Sequence, residues 1–200
     1  MIRILSLLLY LVVISAVTTL AQSTSMGWGI KGGLNMSGVQ TDNTLIVQNN
    51  SKLGWQAGVF SKTTDEGWGY LAEASLITMG SKQVYFDESQ KNTIGYLSIP
   101  IALQYTTGDN WAFLLGGYAS FRLWAKRKST KAGVGDTEAN IKDNVAFMDY
   151  GVWGGISYTY SRFIFDIRYQ QGIPNINTNA TINARAYNYS SQFAIGYYLK

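Results

Sequence analysis

The 200-residue chain contains no cysteine, no histidine and only two prolines, and charged side chains make up only 14% of it. Without cysteine there is no disulfide, no thiol nucleophile, no thiolate metal site and no lipid-attachment residue of a lipoprotein. Without histidine the commonest general base and metal ligand is missing. Ser-His and Asp-His constellations are therefore excluded, and the expectation is a non-enzymatic protein with no catalytic residue, metal or cofactor. The formal charge is +4, but Lys and Arg do not gather on one strand or helix face, so nucleic acid is not an expected partner. Long apolar runs are also scarce. The clear one, Ile4 to Val17, follows Arg3 and precedes Thr19-Leu20-Ala21. That is the layout of a signal peptide over residues 1–21, cleaved after Ala21, with residues 22–200 left as one domain.

What the full chain does have is aromatic residues, at 14%, and 21 glycines, at a mean hydropathy of −0.02. A helical membrane protein would be far more apolar, whereas a transmembrane barrel averages a lipid-facing surface against a polar interior. The stretch Arg162 to Gln170 carries the pattern most clearly. Phe163, Phe165, Ile167 and Tyr169 share one parity, and Arg162, Asp166, Arg168 and Gln170 share the other. Side chains alternate across a strand, so this ribbon has one oily face and one charged face.

The same two-faced pattern predicts seven more strands. They are Met26 to Ser37, Lys52 to Ser61, Trp68 to Gly80, Thr93 to Tyr105, Trp111 to Ala125, Ala146 to Tyr158 and Ala186 to Lys200. Pro100 falls inside the fourth, where a bulge or a missing ladder bond is expected because proline has no donor. In the fifth, Arg122 and Trp124 share the inward parity with Tyr118 and Ser120. Connections alternate long and short along the chain, and Trp28, Trp68, Trp111, Tyr158 and Tyr197 sit at the strand ends next to short turns or termini. An eight-stranded antiparallel up-and-down transmembrane β-barrel has this asymmetry and such an aromatic belt. A soluble lipocalin-type carrier would place its apolar residues inside, the reverse of this parity. The predicted location is the bacterial outer membrane, with its lipid and its assembly machinery as partners.

Several short motifs carry a family resemblance: Gly29-Ile30-Lys31-Gly32-Gly33-Leu34-Asn35, Tyr96-Leu97-Ser98-Ile99-Pro100, Asp149-Tyr150-Gly151, and Asp166-Ile167-Arg168-Tyr169 with Gly172-Ile173. Together they span the mature chain, which resembles the PorT-type outer-membrane β-barrel domain proteins. The resemblance implies an eight-stranded barrel and, as one functional alternative, an accessory role in protein secretion.

The interior parity collects Lys31, Glu73, Arg122, Asp149, Asp166 and Arg168, with Arg162 as a further candidate. An eight-stranded barrel is only wide enough for side chains to fill, and an unpaired buried charge costs several kcal/mol. These residues are therefore expected to pair, Arg122 with Asp149 and the other four as a second cluster, rather than to line a channel for small solutes. Gly27-x-Gly29-x-x-Gly32 matches the dinucleotide fingerprint but lies inside a strand with no helix after it, so it is read as structural. Residues 126–144 are expected to form the longest external loop. Its Lys126, Arg127, Lys128 and Lys131 read first as a solvated loop tip and, as the functional alternative, suit the phosphates of lipopolysaccharide; other loops offer surfaces for an unknown protein or ligand. Asp136, Glu138 and Asp143 in that loop do not have the spacing of a calcium loop.

Overall fold

In the computed structural model of the chain, residues 26–41, 48–85, 88–131, 135–178 and 184–199 are described. The expected signal peptide lies outside them. The described residues form ten strands, β1 (Met26–Thr41), β2 (Gln48–Thr63), β3 (Gly67–Met79), β4 (Ser81–Tyr85), β5 (Glu88–Thr106), β6 (Trp111–Lys131), β7 (Gly135–Asn140), β8 (Met148–Tyr160), β9 (Phe163–Gly172) and β10 (Ala186–Tyr198). Eight of them close a ring in which each pairs antiparallel with its neighbours, β1-β2-β3-β5-β6-β8-β9-β10 and back to β1. Closure pairs the first strand with the last, Ile30 opposite Tyr197 and Leu34 opposite Phe193. A closed ring has no free edge, so every strand can satisfy its backbone groups within the sheet.

Alternation decides which side is which. Along β9, Phe163, Phe165, Ile167 and Tyr169 are exposed while Ile164, Asp166, Arg168 and Gln170 are buried. The same holds on β5, where Leu97, Ile99, Ile101 and Leu103 point out and Tyr96, Ser98, Ala102 and Gln104 are buried. An outer surface of Leu, Ile, Val and aromatic residues around a polar interior is the arrangement for hydrocarbon rather than water. At the end with the short turns, the outer aromatics pair as Trp68 with Tyr105, Trp111 with Tyr158 and Phe163 with Tyr197, with ring centroids 5.2, 4.8 and 5.2 Å apart. Two of those turns contain residues at positive φ, Asn110 and Ser161.

Pro100 keeps register with Tyr118 on β6, while the β3–β5 ladder has a gap between the pairs Ala72–Ile101 and Ser75–Ser98. The missing donor thus interrupts the β3 side and no bulge forms there. A bulge does occur higher up, where Tyr96 pairs with Arg122 but Gly95 with Trp124, so that Leu123 is the extra residue on β6. The extra residue reverses the parity of β6 beyond it. Trp124, expected inside, therefore lies on the outer face across Gly95, where a Cβ would come within 2.1 Å of the indole ring. We expect Gly95→Val to unseat Trp124 and lower the barrel's denaturation midpoint, whereas Gly108→Val in a short turn leaves it unchanged.

The expected loop over 126–144 is largely sheet. β6 runs on to Lys131 and returns as β7, with Lys128 opposite Glu138, and a 3-10 turn follows at Lys142–Asn144. Similarly, β4 pairs with both β2 and β5. This part of the sheet stands beyond the apolar band, so neither face needs oily side chains and the alternation carries no hydropathy signal. Arg162, a candidate inward charge, is exposed in the turn before β9. The strand begins one residue later than its parity suggested.

Candidate functional site: the lumen and the external sheet

Lys31 lies on β1 with Gly58 of β2 on one side and Gly196 of β10 on the other. With no side chain on either flank, its ammonium reaches two carboxylates, Glu73 Oε1 at 2.8 Å and Asp166 Oδ2 at 2.9 Å. Arg168 donates from Nη1 to Glu73 Oε2 at 2.9 Å, and from Nη2 to Glu73 Oε1 at 3.0 Å and Asp166 Oδ2 at 2.8 Å. Its guanidinium also stacks 4.5 Å from the centroid of the Trp153 ring. All four charged residues are buried. The four-residue cluster expected from the sequence is therefore present, and it ties β1, β3 and β9 together across the lumen.

Lys62 belongs to the same region and was not anticipated. It is buried on β2 and donates to Ser157 Oγ at 2.7 Å. Its parity with Gly54, Gln56 and Gly58 was the available signal, but the strand extends past Ser61 to include it. Interior cavities nearby hold about 10 Å3 each, one between Gln56, Glu73, Trp153 and Arg168, the other beside Lys31, Lys62 and Phe60. Such a volume is the room one water needs.

The expected Arg122–Asp149 pair is absent. Register places Asp149 opposite Ser120, so Arg122 sits nearer the external mouth. There its Nη1 donates to the carbonyl oxygens of Lys142 and Val145 at the 3-10 turn. Asp149 is instead held by neutral donors, with Oδ2 accepting from Asn188 Nδ2 at 2.9 Å and Tyr118 OH at 3.3 Å. Asn188 also donates to Tyr96 OH at 3.2 Å. Removing the Asp149 acceptor leaves two buried donors, Asn188 Nδ2 and Tyr118 OH, without it, so Asp149→Leu is expected to lower stability by about 1–3 kcal/mol in urea titrations. Arg122→Leu should loosen the 3-10 turn, read as faster proteolysis there, while the barrel's own midpoint holds.

Of the four basic residues expected to form an external patch, two face one way and two the other. Lys126 and Lys128 pair with Thr93 and Lys91 on the outer face, whereas Arg127 pairs with Asn92 and donates from Nε to its Oδ1 at 2.9 Å. Lys131 pairs with Glu88, sharing Arg127's parity. Lys128 Nζ lies 2.6 Å from Asp136 Oδ2. Hydrogen bonds from Lys128 and then Thr130 hold the Asp136 carboxyl below its ordinary range, and the hydrogen bond to Asp136 raises the Lys128 ammonium. Hydrogen bonds from Ser129 and then Gln90 lower Glu88. Asp136, Glu138 and Asp143 do not assemble, and among the described residues no three metal-ligating side chains gather.

Residues 20–178 match the family described as outer membrane protein beta-barrel domain. No curated protein matches the chain. Among solved structures, Ail, the attachment invasion locus protein of Yersinia pestis, is 14% identical in its complex with the heparin analogue sucrose octasulfate, with 88% of this chain and 99% of Ail covered at a TM-score of 0.49. Neisserial surface protein A is 12% identical, with 86% and 98% covered at 0.46. The outer membrane protein OprG of Pseudomonas aeruginosa is 12% identical, with 88% and 97% covered at 0.40. With its closed antiparallel ring and the match over most of its length, this chain belongs to the outer membrane protein beta-barrel domain family and resides in the bacterial outer membrane.

Proposed function

We propose that this barrel is a non-enzymatic integral membrane protein that acts through its external surface, as a structural or binding element, and does not conduct solutes. The observation carrying this reading is the ion cluster of Lys31, Glu73, Asp166 and Arg168 across the lumen, with cavities of only about 10 Å3 beside it. Opening a path would separate buried charges from their partners, at several kcal/mol per ion. The lack of histidine and cysteine supports a non-enzymatic role, as does the engagement of both cluster carboxylates with cations. Outer-membrane lipid, lipopolysaccharide, the barrel assembly machinery and a loop-bound protein or ligand are its proposed partners. Reconstituted into planar bilayers in molar potassium chloride, the protein is expected to give no stable conductance steps; reproducible steps that persist after repurification would replace this reading with a channel.

The PorT-like motifs favour a second reading, an accessory component of a secretion system. Asp149-Tyr150-Gly151 and Asp166-Ile167-Arg168-Tyr169 contribute to the lumen, so the resemblance speaks more to the barrel body than to its external surface. Deletion of the gene with secretome measurement tests it: loss of exported cargo supports secretion, and an unchanged secretome removes it.

A further inference from the structure

The external sheet formed by β4, β5, β6 and β7 carries a row of lysines in direct cross-strand register. Lys82 pairs with Lys91, Lys91 with Lys128, and Lys128 with Glu138. Directly paired residues share a face, and like charges placed opposite one another are destabilising. Lys128 has Asp136 as a partner. Lys82, Lys91 and Lys126 have no acidic partner among the described residues, and all three are exposed. Counting Asp136 and Glu138, the described residues of this face keep an excess of two positive charges. A sheet that tolerates such a row is arranged for an anion from outside.

The height of the row identifies the anion. Lys91 shares the parity of Leu97, Ile99 and Ile101 on β5, so the lysines continue the lipid-facing surface upward. From the belt residue Tyr105 to Gly95, ten residues at about 3.3 Å each and a tilt of about 40° climb about 25 Å, which is the height of the apolar band of such barrels. Trp124, across from Gly95, marks the upper edge. The Thr93–Lys126 pair then stands about 5 Å above it and the row of Lys82, Lys91 and Lys128 about 10 Å above it. That is the level of headgroup phosphates in the outer leaflet. An open groove of about 360 Å3, lined in part by Leu123, Trp124, Lys126, Lys142 and one carboxylate, Glu138, adjoins the row, so apolar side chains and two cations meet where an acyl chain meets its phosphorylated headgroup.

We infer that the outer face of this sheet, with Lys82, Lys91 and Lys126 as its exposed cations and Lys128 beside them, binds the phosphorylated glucosamine headgroup of a neighbouring lipopolysaccharide molecule. The inference rests on the reading that the protein works through its external surface. It also divides the basic segment: Lys126 and Lys128 serve the site with Lys82 and Lys91, and Arg127 and Lys131 on the other face do not.

The test is binding of bisphosphorylated lipid A to the folded full chain in nanodiscs, measured for wild type, for Lys82→Gln/Lys91→Gln and for Arg127→Gln/Lys131→Gln. Each lysine near a membrane surface contributes about 1 kcal/mol, close to fivefold, so losing Lys82 and Lys91 should weaken binding about 25-fold. The pair on the opposite face should change it less than twofold, and dephosphorylated lipid A should bind wild type as weakly as the bisphosphorylated form binds the first variant. Equal losses in both variants would overturn the site, as would indifference to lipid phosphorylation. Full competition by millimolar inorganic phosphate would identify a free-phosphate site instead, and tighter binding to a soluble sulfated polysaccharide would make the partner a glycan. A conductance step in planar bilayers would remove the reading of a closed barrel and leave the lipid measurement standing, so the two failures are distinguishable.

Discussion

Glu73→Leu should be among the most damaging single substitutions in the chain. It removes the carboxylate shared by Lys31 and Arg168 and leaves both cations on Asp166 alone, with Lys62 nearby. Breaking a buried ion pair by deleting one partner costs about 3–5 kcal/mol. Reversible urea unfolding in lipid vesicles, followed by tryptophan fluorescence or by the mobility shift of unboiled samples, should show that loss. The simultaneous replacement of Lys31, Glu73, Asp166 and Arg168 by apolar residues of similar size should recover most of it, because an intact buried network is often no more stable than a well-packed apolar one. A single variant that melts like wild type would mean that the lumen is wet enough to solvate the stranded cations, and the closed-lumen reading would lose its basis.

Leu115→Arg should be comparably costly for the opposite reason. Leu115 is 72% exposed on the outer face of β6, four residues above the belt residue Trp111, near the middle of the apolar band. Arginine facing lipid at the midplane of such a barrel costs about 2–4 kcal/mol, falling to about 0–1 near the interface. Trp111→Arg, at the belt, should therefore sacrifice only the aromatic contact with Tyr158 and cost less than the midplane change. The gradient is the informative part. Equal effects at both heights would mean that the outer surface does not meet hydrocarbon.

The parity of the strands and the closed antiparallel ring were legible because the apolar band forces alternation wherever a strand crosses it. Phe163 to Tyr169 shows this without interruption. The four-charge cluster was legible for the same reason, since buried charges must pair and only one parity could hold them. Where the band ends, the signal ends. The hairpin of β6 and β7 is wet on both faces, so Lys126 to Lys131 read as a loop although each residue has a partner strand. The Leu123 bulge left no compositional trace, and it carried Trp124 from the inside to the outside. Arg122 and Asp149 failed as a pair because opposite charges on neighbouring strands meet only in a suitable register. That register is a property of the whole ring, and here it gives Asp149 to Ser120 and lifts Arg122 to the carbonyls of the 3-10 turn. The row of Lys82, Lys91 and Lys128 was hidden in the same way, since three distant lysines become neighbours only once the strands are paired.

The absence of cysteine makes the orientation of the two strand faces directly measurable, since each introduced thiol is the only one in the chain. Spin labels placed one at a time through Leu115→Cys, Ile167→Cys, Ser120→Cys and Gln170→Cys can be compared for collision with oxygen, which concentrates in lipid, and with a water-soluble nickel chelate. With the apolar face in lipid, Leu115→Cys and Ile167→Cys should show high oxygen accessibility, and Ser120→Cys and Gln170→Cys poor access to both relaxers. Lipid exposure at Ser120 and Gln170, with Leu115 and Ile167 shielded, would contradict that orientation.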